Sequence, residues 1–286
     1  MPATPNRTRW MLIATALSFA IVAVGLAGLI HSGKPRAMVL MYHSVAEDTG
    51  GATDEPSIER ALFERQMDFI ATRGFETVFV KEVVARYEAK APVPSHWLAL
   101  TFDGGYPDFY TNVYPVLRQY RLKATLFVIV ADVGIEGGLT WDQLRTVSAS
   151  GLVEIGSHSW DHIADECLSL DEARREKALS KSVLETNLGI PIVSYAYPYG
   201  AFSPRAKRLL QEAGYRGAVG TVYRRGEFAD DDVFNVRRVY VSDYSRLPLM
   251  FRFMVSGDYV PTRSLILRVL NIKTPRDIGC TPTPAH

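Results

Sequence analysis

Short apolar runs alternate with helix-like stretches along most of the chain. Runs that are typical of buried strands lie at 38–41, 77–80, 97–102, 125–130, 152–157, 193–196, 217–221 and 236–241. Residues 58–73 carry Phe63, Met67 and Ile70 at helical spacing and end at Gly74, as an amphipathic helix does. Seven or so strands that alternate with helices predict an α/β fold, either a parallel barrel or a doubly wound sheet.

Capping signals predict where several helices begin and end. Thr140 and Ser169 each begin a capping-box pattern, and the helix that follows Ser169 ends at Gly189. Ser203, followed by proline, begins another helix, which ends at Gly214. The pattern predicts one domain over residues 38–270 and a loose tail over residues 271–286.

The N-terminal region has a different pattern. Residues 10–33 contain no charged side chain and are mostly apolar, which is long enough to span a bilayer as a helix. Basic residues within 1–9 favour a cytoplasmic tail there. We expect a transmembrane anchor at 10–33, with a cleaved signal sequence as the alternative. In both cases the domain is exported and faces the periplasm or the extracellular side.

Composition excludes some classes of function. The net charge is +1, with 32 basic and 31 acidic residues, so no charge excess points to nucleic acid as a partner. The only two cysteines are Cys167 and Cys280. An exported protein could join them, or both could be free thiols, and two cysteines do not make a disulfide scaffold.

Three segments follow predicted strands and carry candidate chemistry. Residues 101–105 read TFDGG, residues 158–162 read HSWDH, and residues 197–200 read YPYG. If each lies at the carboxyl end of its strand, they meet where α/β barrels build their active sites. Together they offer a carboxylate, two imidazoles and a tight turn, which are the components of a metal-assisted hydrolase.

Each of these segments also has a plainer interpretation. His158 and His162 are spaced i, i+4 and could share a metal ion, or they could be two surface histidines on a loop. Asp103 could act as a general base, or it could simply begin a glycine turn. The backbone N–H of Tyr199 could hold an oxyanion, whereas the residues alone favour an ordinary turn at the end of a strand.

The order and surroundings of the three segments resemble the polysaccharide deacetylase family, which has the NodB homology domain and belongs to the carbohydrate esterases. The family motifs are TFDDG, then [S/T]H[S/T]xxH, then RxPY or, in one branch, YPYG. Residues 39–43, 106–120 and 124–128 also resemble family segments, and the resemblance covers about residues 38–245. It implies a distorted (β/α) barrel, usually of seven strands, and removal of acetyl groups from acetylated sugars with a divalent metal.

The resemblance also implies roles for residues that match the motifs. Asp103 matches the catalytic base, and His158 and His162 match two metal ligands. Tyr199 matches the residue whose backbone N–H faces the oxyanion. Gly104 stands where the family has its metal-binding aspartate, which weakens the expected site for zinc, cobalt, nickel or manganese. A water, Asp103 or another side chain could complete the ligands, the metal could bind weakly, or the site could be inactive.

Other expected parts are supplied differently in this chain. Arg237 and Arg238 are adjacent on a predicted strand and face opposite sides, so one of them could orient the base; we predict Arg238. The resemblance implies a histidine late in the chain as the general acid, which this sequence lacks at the matching place. His43 could substitute for it as an acid or a ligand, or it could be a buried core residue. Trp160 and Tyr197 are the predicted substrate contacts.

The sequence therefore predicts a membrane-anchored, metal-dependent hydrolase. Its expected substrate is a polymeric or lipid-linked N-acetylhexosamine, from which it removes N-acetyl groups. One alternative is a catalytically silent glycan-binding protein of an envelope polysaccharide system. Another is an esterase that removes O-acetyl groups, since both reactions use the same parts.

Overall fold

A computed structural model describes residues 37–47, 57–221, 232–257 and 259. The strands are β1 (Met38–Tyr42), β2 (Ser44–Ala46), β3 (Ser57–Glu59), β4 (Glu76–Val78), β5 (Trp97–Gly104), β6 (Ala124–Val128), β7 (Val153–Ser157), β8 (Ser194–Ala196), β9 (Gly217–Thr221) and β10 (Val236–Tyr240). The α-helices are α1 (Arg60–Thr72), α2 (Val80–Glu88), α3 (Tyr114–Tyr120), α4 (Trp141–Ala149), α5 (Leu170–Leu188), α6 (Pro204–Glu212) and α7 (Pro248–Met254). A π-helical turn, Phe109–Val113, precedes α3.

The expected segments at both ends of the chain lie outside the described residues. These are the cytoplasmic tail at 1–9, the anchor at 10–33 and the tail at 271–286. Within the described ranges, no helix is both long enough and apolar enough to cross a membrane.

Seven parallel strands close into a barrel. Around the ring the order is β1, β10, β9, β8, β7, β6 and β5, and β5 pairs back to β1. This confirms the barrel and excludes the open doubly wound sheet. The predicted strand at 77–80 lies outside the ring, since β4 pairs only with β5 and Val80 already begins α2.

The barrel is distorted at β5. Leu98 and Ala99 pair with β4, whereas residues Thr101 to Gly104 pair with β6, and β1 runs along the opposite edge of the strand. One edge of β5 is therefore shared: β4 pairs with its N-terminal half and β6 pairs with its C-terminal half. β6 contacts β5 only near the carboxyl end of the barrel, where the segment at 101–105 lies.

Side chains alternate between the inside and the outside of the barrel, as they must along strands. The interior apolar cluster comprises Val39, Val78, Val80, Val83, Val84, Ala99, Phe127, Ala196, Val219 and Val236. A larger cluster packs between the strands and the surrounding helices. Because Ala99 and Val236 point inward, Asp103 and Arg238 also point inward, nearer the carboxyl end.

Helix α2 closes the amino end of the barrel. Val80, Val83 and Val84 belong to the interior cluster, and a Cβ added to Gly217 would lie 2.4 Å from a methyl of Val84. The carboxylate of Glu154 accepts the N–H of Lys81 at the start of this helix. With this end filled, the opposite end is left for a ligand.

The predicted caps are confirmed. Thr140 and Ser169 accept backbone N–H groups in capping boxes, and Gly189 ends α5 in the left-handed conformation. Ser203 caps α6 by accepting the N–H of Ala206. Cys167 is disulfide-bonded, which decides between the two alternatives for its thiol.

Candidate active site

The carboxyl end of the barrel brings the predicted polar residues together. Asp103, His158 and Arg238 have 3%, 2% and 1% of their surface exposed. They come from β5, from the residue after β7, and from β10. Since charged side chains are rarely buried without partners, their contacts decide what this end of the barrel can do.

Arg238 holds Asp103 with two parallel hydrogen bonds. Nη1 donates to Oδ1 at 2.5 Å and Nη2 donates to Oδ2 at 2.7 Å. The guanidinium also donates to the carbonyl of Gly220 at 3.1 Å and to Oγ1 of Thr101 at 3.2 Å. This fork fixes the plane of the carboxylate. Arg238, and not Arg237, is the inward guanidinium.

The charge of Asp103 is set by its neighbours. Burial alone would raise the pKa of this carboxyl, but Arg238 and, next, His158 more than offset burial. The pKa of Asp103 therefore lies well below its ordinary value. The carboxylate is ionised at neutral pH, and it is a weaker base than a free aspartate.

His158 is oriented by the backbone of the neighbouring strand. Its Nδ1 lies 2.9 Å from the carbonyl oxygen of Ala196. A carbonyl only accepts hydrogen bonds, so Nδ1 carries the proton and Nε2 of the neutral ring has its lone pair available. This Nε2 lies 3.7 Å from Oδ2 of Asp103. The orientation is the one that metal-binding histidines adopt.

His162 lies beside His158 and is neutral. The centroids of the two imidazole rings are 4.6 Å apart. Burial and, next, the proximity of His158 lower the pKa of His162 from 6.5 to about 3. When both rings are neutral, two imidazoles at this separation offer a pair of nitrogen donors.

Backbone strain is concentrated in this part of the molecule. Among the described residues, five that are not glycine have a positive φ, and three of these are Ser159, His162 and Tyr199. Such conformations cost about 1 to 3 kcal/mol each and persist where the surroundings enforce them. Here, the N–H of His162 donates to Oγ of Ser159 at 2.9 Å.

The aromatic residues of the motifs differ in exposure. The ring of Tyr199 lies 4.6 Å from that of His162, and this tyrosine is 45% exposed. Trp160 is half-buried. Tyr197 is only 1% exposed, and its hydroxyl donates to the carbonyl of Phe234 at 2.9 Å. The position of Tyr197 therefore favours packing over the substrate contact that we expected from the sequence.

His43 lies at the same end of the barrel. It is half-buried, and its ring packs edge-on against Tyr240 with the centroids 5.7 Å apart. Its charge influences the pKa of both Asp103 and His162. His43 therefore lies near the candidate base and the histidine pair.

The residues fit a divalent cation only in part. His158 and His162 supply suitable nitrogen donors, but Gly104 has no side chain and therefore provides no side-chain ligand. Within the described parts of the chain, no three His, Cys, Asp or Glu side chains are grouped so as to hold a metal ion. The donor set is thus incomplete for a site made of three protein ligands.

Sequence reasoning missed several residues that support the site. Thr101 donates its hydroxyl to the carbonyl of Leu40 and accepts from Arg238. Glu176, on α5, accepts the N–H groups of Trp160 and Asp161 at 3.0 and 3.3 Å. The spacing of two between Thr101 and Asp103 was a usable signal for a shared face, whereas nothing in the sequence pattern pointed to Glu176.

Comparison with known proteins gives consistent results. Residues 90–218 match the sequence model of a family described as polysaccharide deacetylase. The chain is 29% identical over 214 residues to YxkH of Bacillus subtilis (strain 168), whose name places it among the polysaccharide deacetylases, and the match covers 74% of each protein. It is 27% identical over 139 residues to the poly-beta-1,6-N-acetyl-D-glucosamine N-deacetylase of Escherichia coli (strain K12). This second match covers 43% of the chain and only 20% of the Escherichia coli protein.

A solved structure has a similar fold. The deacetylase PplD of Streptococcus pyogenes, solved in complex with acetate, aligns with a TM-score of 0.68 and 24% identity. The alignment covers 76% of this chain and 99% of PplD. At this identity the likeness concerns the fold.

Proposed function

Residues 90–218 place this chain in the polysaccharide deacetylase family, and from this membership we propose that it removes N-acetyl groups from a polymeric or lipid-linked N-acetylhexosamine. The chain is a hydrolase that acts on carbon–nitrogen bonds other than peptide bonds. One observation carries the proposal for this particular chain. A buried carboxylate, held by an arginine, lies 3.7 Å from the available nitrogen of His158 at the open end of the barrel.

In the proposed reaction, Asp103 accepts the proton of the attacking water. Arg238 keeps both carboxylate oxygens in one plane, and each oxygen retains a second lone pair for the incoming proton. Because the pKa of Asp103 is depressed, the carboxylate is always ready to accept, but its basicity is low. Proton transfer to Asp103 therefore needs a water that is more acidic than bulk water.

His158 and His162 would hold a divalent cation, with zinc the first candidate and cobalt, nickel or manganese the others. When bound, such an ion would lower the pKa of a water and polarise the acetamido carbonyl. The missing carboxylate at position 104 predicts weak binding. His43, which faces the same end of the barrel, would donate a proton to the departing amine or add a ligand.

The proposed oxyanion contact is the backbone N–H of Tyr199. This residue sits in a left-handed turn with φ of 55°, and its ring packs against His162. A preorganised amide at this position would stabilise the negative charge that develops on the carbonyl oxygen. The exposed ring of Tyr199 and the half-buried Trp160 would offer aromatic faces to the sugar.

We also propose that the domain is exported. The disulfide at Cys167 supports this, because disulfides form and persist in oxidising compartments. The apolar segment at 10–33 would anchor the protein or direct its export.

Release of acetate tests the proposal. Purified protein is loaded with zinc or cobalt and given N-acetylglucosamine oligomers. We expect release, and a loss of at least about 100-fold in His158→Ala, since a metal ligand is removed. His96→Ala is the matched control, because His96 is an exposed histidine that lies before β5 and contacts Glu76. Its activity should equal that of the wild type.

A silent glycan-binding protein is the second candidate, and Gly104 is the observation that favours it. If the wild-type protein binds the oligomers but releases no acetate under either metal, the hydrolytic proposal fails and the binding role stands. If acetate is released only from O-acetylated glycans, the protein is an esterase.

A further inference from the structure

The place of a side chain at position 104 is already filled. A Cβ built on Gly104 would lie 2.4 Å from Cε2 and 2.6 Å from Cζ of Tyr106. Real contacts of a Cβ are essentially never shorter than 3.0 Å. The far end of the Tyr106 ring therefore occupies the space that any side chain on residue 104 would enter first.

The backbone at this turn is held in place. The carbonyl of Gly104 accepts the N–H of Ile129 at 3.1 Å, and the carbonyl of Gly105 accepts the N–H of Leu139 at 3.0 Å. Both bonds tie the turn to the segment that follows β6. Gly104 also has φ of +108°, a conformation that side chains disfavour. The contact with Tyr106 can thus be relieved only by moving the ring.

We propose that Tyr106 seals the position of the missing third ligand, so that the glycine and the tyrosine form a matched pair. In this arrangement a carboxylate on residue 104 would have to share its space with the ring of Tyr106. A single change of Gly104 to aspartate then fails to rebuild the site, since the new side chain and the ring compete for one space. The inference rests on the proposed site, but it concerns zinc binding and packing and not turnover.

Zinc affinity in four variants tests this pair. Isothermal titration with zinc alone compares the wild type, Gly104→Asp, Tyr106→Ala and the double variant G104D/Y106A. We expect the double variant to bind zinc about tenfold or more tightly than Gly104→Asp, because the ligand charge is added only where it can reach the ion. The backbone strain at 104 is common to both variants, so their difference isolates the ring. Tyr106→Ala alone should not tighten binding.

Two controls tie the effect to this site. Gly137→Asp adds the same charge at an exposed glycine with φ of +90° and open space, and it should leave zinc affinity unchanged. Adding His158→Ala to the double variant should abolish the gain. Equal affinities of Gly104→Asp and G104D/Y106A would overturn the inference.

A stability measurement gives a readout that needs no metal. Gly104→Ala should lower the denaturation midpoint, and part of this loss should be recovered in G104A/Y106A, where the ring is gone. If the two variants lose the same amount, the ring does not fill the space. Both outcomes are independent of acetate release, so failure here is distinguishable from failure of the proposed function.

Discussion

Two carboxylates are buried inside the same barrel, and their surroundings give them opposite properties. Asp103, at the carboxyl end, is paired with the Arg238 guanidinium, which lowers its pKa although burial opposes this. Glu154, at the amino end, accepts only from neutral groups, namely the hydroxyls of Ser194 and Thr125 and the N–H of Lys81. Burial raises the pKa of Glu154, and the hydrogen bonds, together with the charge of Lys81, offset burial only in part.

The difference separates the proposed chemical role of Asp103 from the structural role of Glu154. A carboxylate with a charged partner stays ionised and can serve a reaction at the open end. A carboxylate among neutral donors joins β6, β7 and β8 to the start of α2, which closes the other end. Within one barrel, therefore, burial alone does not determine the charge of a carboxylate; the neighbouring groups do.

The largest effect should follow from removing the charge at the carboxyl end. Asp103→Asn keeps the shape of the side chain but removes the proposed base, so we expect kcat/KM for acetate release to fall about 10²- to 10⁴-fold. The measurement is the initial rate on N-acetylglucosamine oligomers. Glu154→Gln is the matched control and should retain the wild-type rate. A wild-type rate in Asp103→Asn would remove Asp103 from the chemistry.

Removing the arginine of the Asp103–Arg238 ion pair tests how much the pair contributes to the stability of the fold. Arg238→Met leaves the Asp103 carboxylate buried without its cation, and we expect the free energy of unfolding to drop by about 3 to 5 kcal/mol. Denaturant unfolding measures this drop. Arg237→Met is the control, because Arg237 lies on the opposite face of β10 and is only half-buried. It should cost about 1 kcal/mol or less.

Equal losses of unfolding free energy in the two arginine variants would contradict the inward placement of Arg238.

The two arginines also show how much of the site could be predicted from the sequence. The strand pattern predicted an α/β fold and left the barrel and the doubly wound sheet open; the family resemblance implied the barrel and the convergence of Asp103, His158 and His162. The residues alone showed that Arg237 and Arg238 face opposite sides, and we predicted Arg238; which of the two faces inward depends on the register of β10 against β9.

Other features depend on local geometry that the hydrophobic periodicity of the sequence cannot predict. Tyr197 was a predicted substrate contact, but its side chain is buried and its hydroxyl donates to the carbonyl of Phe234. The ring of Tyr106 comes close to Gly104 because the chain turns with positive φ at the end of β5. The glycines allow this turn, but their presence in the sequence does not predict where the tyrosine ring lies. The predicted strand at 77–80 lies outside the ring because β6 pairs with the C-terminal half of the same edge of β5 and continues the barrel there.

The smallest effect should come from Glu154→Gln, which changes how stability depends on pH. The direction of this change distinguishes Glu154 from Asp103. Because the pKa of Glu154 is raised in the folded protein, the folded state holds this proton more tightly than the unfolded chain does. Its contribution to stability is full below the ordinary pKa of 4.5 and is lost as the pH rises through the folded value. Glu154→Gln removes this loss. We therefore expect its unfolding free energy, relative to the wild type, to increase between pH 4 and pH 8.

Denaturant unfolding at both pH values measures this difference, with Glu136→Gln on an exposed loop as the control, which should show no such trend. Asp103 has the opposite sign: its pKa is lowered, so the stability it adds is present above its ordinary pKa of 3.8 and is lost as the pH falls below it. If Glu154→Gln instead lost stability relative to the wild type as the pH rose, the ionised carboxylate would be the form that holds α2. The two ends of the barrel would then use buried charge in the same way.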